Sequence, residues 1–420
     1  MAKSDQKQIL VYADWENFKQ PIFMGTLAVT QARGKEVFSF EYDEDWLSNQ
    51  TAHYLDPNLG MFKGRQYLPD DKSNFGIFLD SSPDRWGRVL MKRREALEAR
   101  EEGRKEKTFF ESDFVLGVYD KHRMGALRFK LNEEGIFLND NKAFATPPWA
   151  ALKDLEYASM KLEDDDNDDA ESLQWLNMLI TPGSSLGGAR PKASIVDKKG
   201  NLWIAKFPSK NDAKDIGAWE IVTHQLAINA GLNVPEAGVQ IFSGNHHTFL
   251  SKRFDRKKEQ RIHFASAMTL LGYKDGEDHT TGVSYLALVG FIQQFGGNVD
   301  SDLEELWRRI VFNICVSNTD DHLRNHGFLL TEKGWILAPA YDMNPEEKGA
   351  GLTLNISETD NSLNLEVAKE VAEYFRLKKD KAETIITKVV SSVKHWKAVA
   401  AKYGISKNKI QSMEKAFCHF

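Results

Sequence analysis

The sequence predicts an α+β protein, with a lobe of mixed strands and helices ahead of a mainly helical one. Three observations carry this. Short apolar alternations at 25–30 (GTLAVT), 37–42 (VFSFEY) and 125–130 (GALRFK) suit strands. Two more strand-like runs, 193–197 (ASIVD) and 202–207 (LWIAKF), precede residue 210. Beyond about residue 260 the clearest segments have helical spacing, which places the helices after the strands. At 420 residues the chain exceeds one typical core, so more than one domain is expected.

Composition narrows the function classes. Hydrophobic residues make up 41% and charged residues 28%, which excludes a disordered or collagen-like chain. A net charge of −6 excludes a generally basic nucleic-acid binder. Only Cys315 and Cys418 occur, with no CxxC spacing, so neither a disulfide scaffold nor a cysteine zinc site is expected. The first residues lack the apolar core of a secretory signal. No run of about 18 apolar residues is present. A cytoplasmic setting without membrane contact is the expectation.

Taken in order, the charged segment 84–107 favours helix, and its Lys92, Arg93 and Arg94 read as a solvated face among glutamates. The acidic run 163–171 resembles a calcium loop only briefly. Asp169 stands where that loop needs glycine, and Trp175 where it needs its closing glutamate. The glycines Gly183, Gly187 and Gly188, with Lys192 behind them, form a turn able to bring backbone N–H groups to phosphates. It is neither a Walker A motif nor GxGxxG. Residues 214–232 predict a helix stopped by Gly231. Segments 238–243 and 246–254 read as strands, and 305–318 and 383–404 as helices.

Chemistry concentrates at 316–330 (VSNTDDHLRNHGFLL), between an apolar helix and a strand-like run. Asp320 and Asn325 have four residues between them, the spacing of a kinase catalytic loop. There an aspartate orients the substrate hydroxyl and an asparagine offers an oxygen to magnesium. Asp342 lies 17 residues beyond Asn325, where a kinase places its second metal-binding aspartate, although Asp342-Met343-Asn344 replaces DFG. Lys206 sits in an apolar strand. It reads either as an edge lysine reaching water or as the lysine that neutralises ATP phosphates, with Glu220 on the next helix as its partner. Competing sites fare worse. His322 and His326 have helical zinc spacing, but Leu323 replaces the glutamate of HExxH and Gly327 ends any helix. His246 and His247 would point to opposite strand faces. No GxSxG is present for a serine hydrolase.

Nearly the whole chain resembles the HipA family of serine/threonine kinase toxins from type II toxin–antitoxin systems. The motifs that carry the resemblance are VFSFEYDEDWL, SPDRWGR, LGVYDKHRMGALRF, SSLGGARPKA, IAKFP, GLNVPEAG, KRFDR, NTDDHLRNHGF and APAYDMN. It implies a bilobal protein-kinase-like fold of the HipA type. A HipA-like amino-terminal subdomain would span 1–145, the kinase N-lobe 146–258 and the helical C-lobe 259–420. It implies ATP and Mg2+ as cofactors and Asp320 as catalytic base. His322, Leu323, Arg324 and Asn325 would complete the nucleotide-contacting loop, with Asn325 and Asp342 on the metal and Tyr341 beside the nucleotide. Lys206 would hold the phosphates. Lys252, Arg253 and Phe254 would be the hinge against adenine. Gly187, Gly188, Ala189, Arg190, Pro191 and Lys192 would form the phosphate-side loop. Ser185 matches the serine that the family phosphorylates on itself, which expels that loop and switches the enzyme off. The resemblance further implies a HipB-like DNA-binding antitoxin, with DNA contact only through it, and a protein substrate such as glutamyl-tRNA synthetase, whose phosphorylation arrests growth.

The sequence departs from the family pattern in three places. Lys252 replaces a hinge glutamate, and Arg190-Pro191 replaces a glutamine and a glutamate. Asp321 adds a carboxylate beside Asp320, with three roles open to it: tuning the metal, tuning the base, or facing solvent. Two other functions stay open, a catalytically weak corepressor and a small-molecule phosphotransferase.

Overall fold

A computed structural model describes residues 6–419, apart from 17, 33, 49–52, 70, 143–145, 164–175, 177–178 and 180–189. The chain divides into two compact units, Met1–Lys210 with Asp255–Ala265, and Asn211–Phe254 with Ser266–Phe420. The boundaries expected near 145 and 258 do not coincide with this division. Residues after 146 stay with the first unit: Pro148 bridges Val196, and Glu163 accepts hydrogen bonds from Ser209 and Lys210.

The first unit is built on β1 (Gln6–Ala13), β2 (Ile22–Ala32), β3 (Lys35–Tyr42), β4 (Gln66–Tyr67) and β5 (Leu127–Lys130). They form one antiparallel sheet in the order β4-β3-β2-β1-β5. Ile9, Val11 and Ala13 alternate into the core, as the two-residue strand period requires. The helices here are α1 (Glu44–Ser48), α2 (Gly76–Asp80), α3 (Arg85–Glu101), α4 (Glu111–Gly117) and α5 (Leu152–Glu163). On α2, Phe78 packs between Phe40 and Phe129, with ring centroids 5.6 and 6.0 Å away. Arg123 is fully buried and donates to the carbonyls of Ser81, Val115, Val118 and Leu138, tying four loop segments together. Burial pushes its pKa down to about 9.

The helix expected at 84–107 forms as α3, but its basic cluster is only partly solvated. Arg93 donates to the Leu162 carbonyl at the end of α5, and Arg94 pairs with Glu98 at 3.3 Å. The reason is that α3 also buries Trp86, Leu90, Met91 and Leu97, which draws neighbouring stems inward. Asp84 caps α3 by accepting from the Gly87 N–H at 2.8 Å. Its other oxygen lies 2.9 Å from the Lys192 ammonium, and both side chains are buried. Lys192 opens the hairpin of β6 (Lys192–Val196) and β7 (Leu202–Lys206), where it stands opposite Lys206.

His263, also in this unit, stacks on Trp15 with ring centroids 5.1 Å apart. Burial pushes its pKa down to about 3, against 6.5 when free. The unfolded chain therefore binds this proton at a pH where the folded chain does not. Stability from this site is complete above pH 6.5 and falls as pH drops from there toward 3. The loss is at most on the order of 4–5 kcal/mol. Thermal unfolding between pH 7 and 4 should show a falling midpoint, and His263→Phe should flatten that slope. An equally steep slope in the variant would assign the acid sensitivity to other groups.

The second unit begins with α6 (Ile216–Ala230), which ends, as expected, at Gly231 in the left-handed conformation with φ 84°. A glycine is required at 217 for a different reason. A Cβ there would lie 2.1 Å from the His247 carbonyl oxygen. The hairpin of β8 (Ala237–Gln240) and β9 (Thr248–Lys252) follows. Then come α7 (Ala267–Leu271), α8 (Tyr285–Phe295) and α9 (Val299–Val316), and the hairpin β10 (Gly327–Thr331) and β11 (Gly334–Leu337). The chain closes with α10 (Leu365–Glu370), α11 (Lys379–Val393), α12 (Trp396–Lys402) and α13 (Lys407–Ser412).

The single helix expected at 383–404 is thus two, broken at Lys394 and His395. The break lets Trp396 stack on Phe417 at 4.3 Å and approach Trp219 of α6. Burial of three aromatic rings outweighs the cost of interrupting one helix. Among the described residues no helix is long and apolar enough to cross a membrane.

Candidate active site

The polar run sits where α9 stops. Every residue from Ile310 to Ser317 is buried, and Ser317 ends the helix in the left-handed conformation with φ 49°. The loop that follows is shaped by its own backbone. The His322 N–H donates to the Asp320 carbonyl at 3.1 Å, and the Asn325 N–H to the His322 carbonyl at 2.8 Å. Leu323 is buried, and its carbonyl accepts from the Met268 N–H of α7. The loop is therefore pinned to the helical core at its midpoint.

Asn325 closes the loop by donating its amide Nδ2 to the Asp320 carbonyl at 2.8 Å. That bond fixes the amide's orientation. Its Oδ1 is left buried with no hydrogen-bond donor among the described residues. A buried amide oxygen without a donor is costly unless something else uses it. A hard divalent cation, which takes oxygen ligands, fits that unmet acceptor.

Asp320 reaches solvent as a residue, but its carboxyl end is partly desolvated. That burial is the largest reason its pKa lies above the usual carboxylate value. His322 opposes the shift, and the nearby charges of Asp342 and Asp321 add to it. The Asp342 carboxylate is therefore close enough to act on Asp320. Two carboxylates that raise each other's proton affinity are a favourable setting for a cation.

Asp342 follows β11 and adopts the left-handed conformation, φ 57°, which is uncommon for a residue other than glycine or asparagine. Beside it, the Tyr341 hydroxyl donates to the Arg324 carbonyl at 2.8 Å, joining this turn to the loop. The Tyr341 ring lies 5.6 Å from Phe254, at an interplanar angle of 32°. Arg324 pairs with Asp275 at 3.1 Å.

The second unit thus brings together Asp320, His322, Leu323, Arg324, Asn325, Tyr341, Asp342 and Phe254. Lys252 pairs with Glu236 at 3.3 Å, its N–H donates to the Glu236 carbonyl, and Arg253 is buried. Glu220 is buried on α6. In the first unit, Lys206 ends β7, Arg190 and Pro191 lead into β6, and Lys192 is compensated by Asp84. Ser185, Gly187, Gly188 and Ala189 lie outside the described residues, as does most of the acidic run.

Asp321 does not face solvent. It is 4% exposed, and its Oδ2 accepts from the Tyr285 hydroxyl, from Asn313 Nδ2 at 2.6 Å and from His326 Nε2 at 2.9 Å. Burial raises its pKa, but the contacts with His326 and Tyr285 prevail and hold it below the usual carboxylate value. His326 is thereby committed to Asp321, which further disfavours a zinc pair with His322. Sequence reasoning missed Tyr285, Asn313 and Asn318. The one signal it offered was a polar residue, Asn313, inside the apolar run of α9.

Comparison with known proteins agrees with this arrangement. The profile of the HipA-like C-terminal domain matches residues 184–397. A protein named putative kinase from Haemophilus influenzae is 32% identical over 180 residues, which is 38% of this chain and 52% of that protein. The serine/threonine-protein kinase toxin HipA of Shewanella oneidensis is 27% identical over 143 residues, or 30% of this chain and 33% of that protein. The matched stretches thus span about half or less of these curated relatives. A solved structure, the complex of HipA, HipB and operator DNA from Shewanella oneidensis, superposes with a TM-score of 0.65. It covers 98% of this chain and 95% of the other at 17% identity, so the fold is the kinase-like fold of the HipA type. With more than half its length matched by one family and its loop, turn and hinge in that family's order, the chain belongs to the HipA-like C-terminal domain family.

Proposed function

We propose that the chain is an ATP- and magnesium-dependent protein kinase acting on serine or threonine, of the HipA type. The observation that carries this is the pairing of Asp320 with Asn325. One amide bond fixes the loop, leaving a carboxylate at the surface and a buried amide oxygen without a donor.

In this reading Asp320 accepts the proton of the attacking hydroxyl, whose oxygen bonds to the γ-phosphorus as the bridge to the β-phosphate breaks. Its raised proton affinity suits that task. Magnesium, held by Asn325 and Asp342, would neutralise charge on the phosphate oxygens. Tyr341 and Phe254 offer flat apolar surface to a nucleotide base, and their contact with each other restricts both rings. Lys206, Lys252, Arg253, His322, Leu323 and Arg324 keep the roles the resemblance gives them.

Ser185 is proposed as the site of self-phosphorylation. Incubation with Mg-ATP should add one phosphate to the peptide that contains it, read by mass spectrometry, and Ser185→Ala should remove the signal. Wild-type protein that binds ATP yet stays unmodified would refute this. A HipB-like antitoxin is proposed as partner, on the strength of the solved HipA–HipB–DNA complex of similar fold. Glutamyl-tRNA synthetase is the first external substrate to test. Measured ATP turnover separates the kinase from a catalytically weak corepressor. Phosphorylation of choline or an aminoglycoside in place of protein would favour a small-molecule phosphotransferase.

A further inference from the structure

Asp321 and His326 have the same spacing as Asp320 and Asn325, displaced by one residue. The outer pair carries the proposed chemistry, and the inner pair is turned into the core. Beyond the inner pair runs a chain of amides with one unambiguous direction. The Asn344 backbone N–H can only donate, and it donates to Asn318 Oδ1 at 3.0 Å. Asn318 therefore presents Nδ2 onward, to Asn313 Oδ1 at 3.1 Å. Asn313 in turn presents Nδ2 to Asp321 Oδ2. Such a chain must end on a group that only accepts, and an ionised aspartate is one. The same oxygen takes two further donors, Tyr285 at the start of α8 and His326 at the end of the loop.

We propose that this relay, Asn344 to Asn318 to Asn313 to Asp321, is a positioning device. It locks the turn that carries Asp342 to the loop that carries Asp320 and Asn325. The inference rests on the kinase reading and extends it by naming what holds the two metal-binding segments in register. Three facts support it. Asn313, Asn318, Asp321, Tyr285 and His326 are each at most 4% exposed, so water cannot replace a missing partner. The relay starts two residues after Asp342 and ends one residue after Asp320, so it spans the pair the metal would bridge. The Glu346 N–H also donates to the Ser317 carbonyl, so the turn is held to the end of α9 at a second point.

The direction of the relay supplies the test. Asp321→Asn alone turns an amide N–H₂ toward the Asn313 N–H₂, or leaves one of three donors without an acceptor. Asn313→Asp alone sets two carboxylates against each other. Together the two substitutions satisfy every group again. The new carboxylate at 313 accepts from Asn318 and from the new amide at 321, whose oxygen then takes Tyr285 and His326. Each single variant should raise the magnesium concentration for half-maximal ADP binding by roughly tenfold or more, leave metal-free ADP binding unchanged, and lower kcat. The double variant should recover. Independently, hydrogen exchange of the peptide containing the Asn344 amide should quicken by about tenfold or more in each single variant, and slow again in the double.

If wild-type protein shows no Mg-ATP turnover, the kinase reading fails while the exchange measurement still decides the relay. Unchanged exchange at Asn344 in both single variants, or a double variant no better than either single one, would overturn the relay. Altered exchange with an unchanged magnesium requirement would overturn its positioning role.

Discussion

Asp320→Ala is expected to lower phosphoryl transfer by roughly 10²–10⁴-fold, the range for loss of a general base. Nucleotide binding should survive. The loop's shape rests on the Asp320 carbonyl, which accepts from Asn325 Nδ2 and the His322 N–H, and an alanine keeps that carbonyl. Removing the carboxylate also lifts a repulsion with Asp342, so metal-free binding of ATP should hold or tighten slightly. The measurement is steady-state transfer to Ser185 or to an added protein substrate, paired with calorimetric binding of ADP. Growth arrest on expression, if it follows from transfer, should vanish in the same variant. A variant that keeps turnover within a few-fold of wild type would remove Asp320 from the chemistry.

The second large effect concerns stability. Asp84→Ala should destabilise the first unit by roughly 3–5 kcal/mol, because it strands the Lys192 ammonium without its buried counter-charge. The same change deletes the cap of α3, worth about a further 1 kcal/mol. Trp86 reports on the site directly, since its indole N–H donates to the Lys192 carbonyl at 3.1 Å. Urea unfolding followed by tryptophan fluorescence should show an early transition for the first unit, with the second unit's transition little changed. Replacing both partners by apolar residues, Asp84→Leu with Lys192→Met, should recover most of the lost stability. A double variant as unstable as Asp84→Ala would mean that the cap, not the ion pair, dominates.

The two predictions also mark what sequence could and could not show. The strand alternations, the helix closed by Gly231 and the apolar helix ahead of the polar loop are legible because each depends on neighbours a few residues away. The 320–325 spacing is legible for the same reason. Other features depend on distant partners. Lys192 reads as part of a phosphate-side loop, and nothing near it signals an aspartate 108 positions earlier. Asp321 has three open roles in the sequence because its fate is decided by Tyr285, 36 positions away, and by Asn313, eight positions away on another element. The 383–404 pattern looks like one helix because its helix-favouring residues continue through the break. Only the approach of Phe417 and Trp219 shows what Trp396 gains by turning.

The left-handed backbone at Asp342 bears on how the site can be dissected. Alanine is a confounded choice there, because it removes a charge and at the same time installs a side chain that tolerates φ 57° poorly. Asparagine settles into that conformation readily and keeps an oxygen, so Asp342→Asn isolates the electrostatic loss. Glycine relaxes the backbone and deletes the side chain. Compared with each other, asparagine and glycine would tell whether the turn is held in place chiefly by its geometry or by what its carboxylate binds.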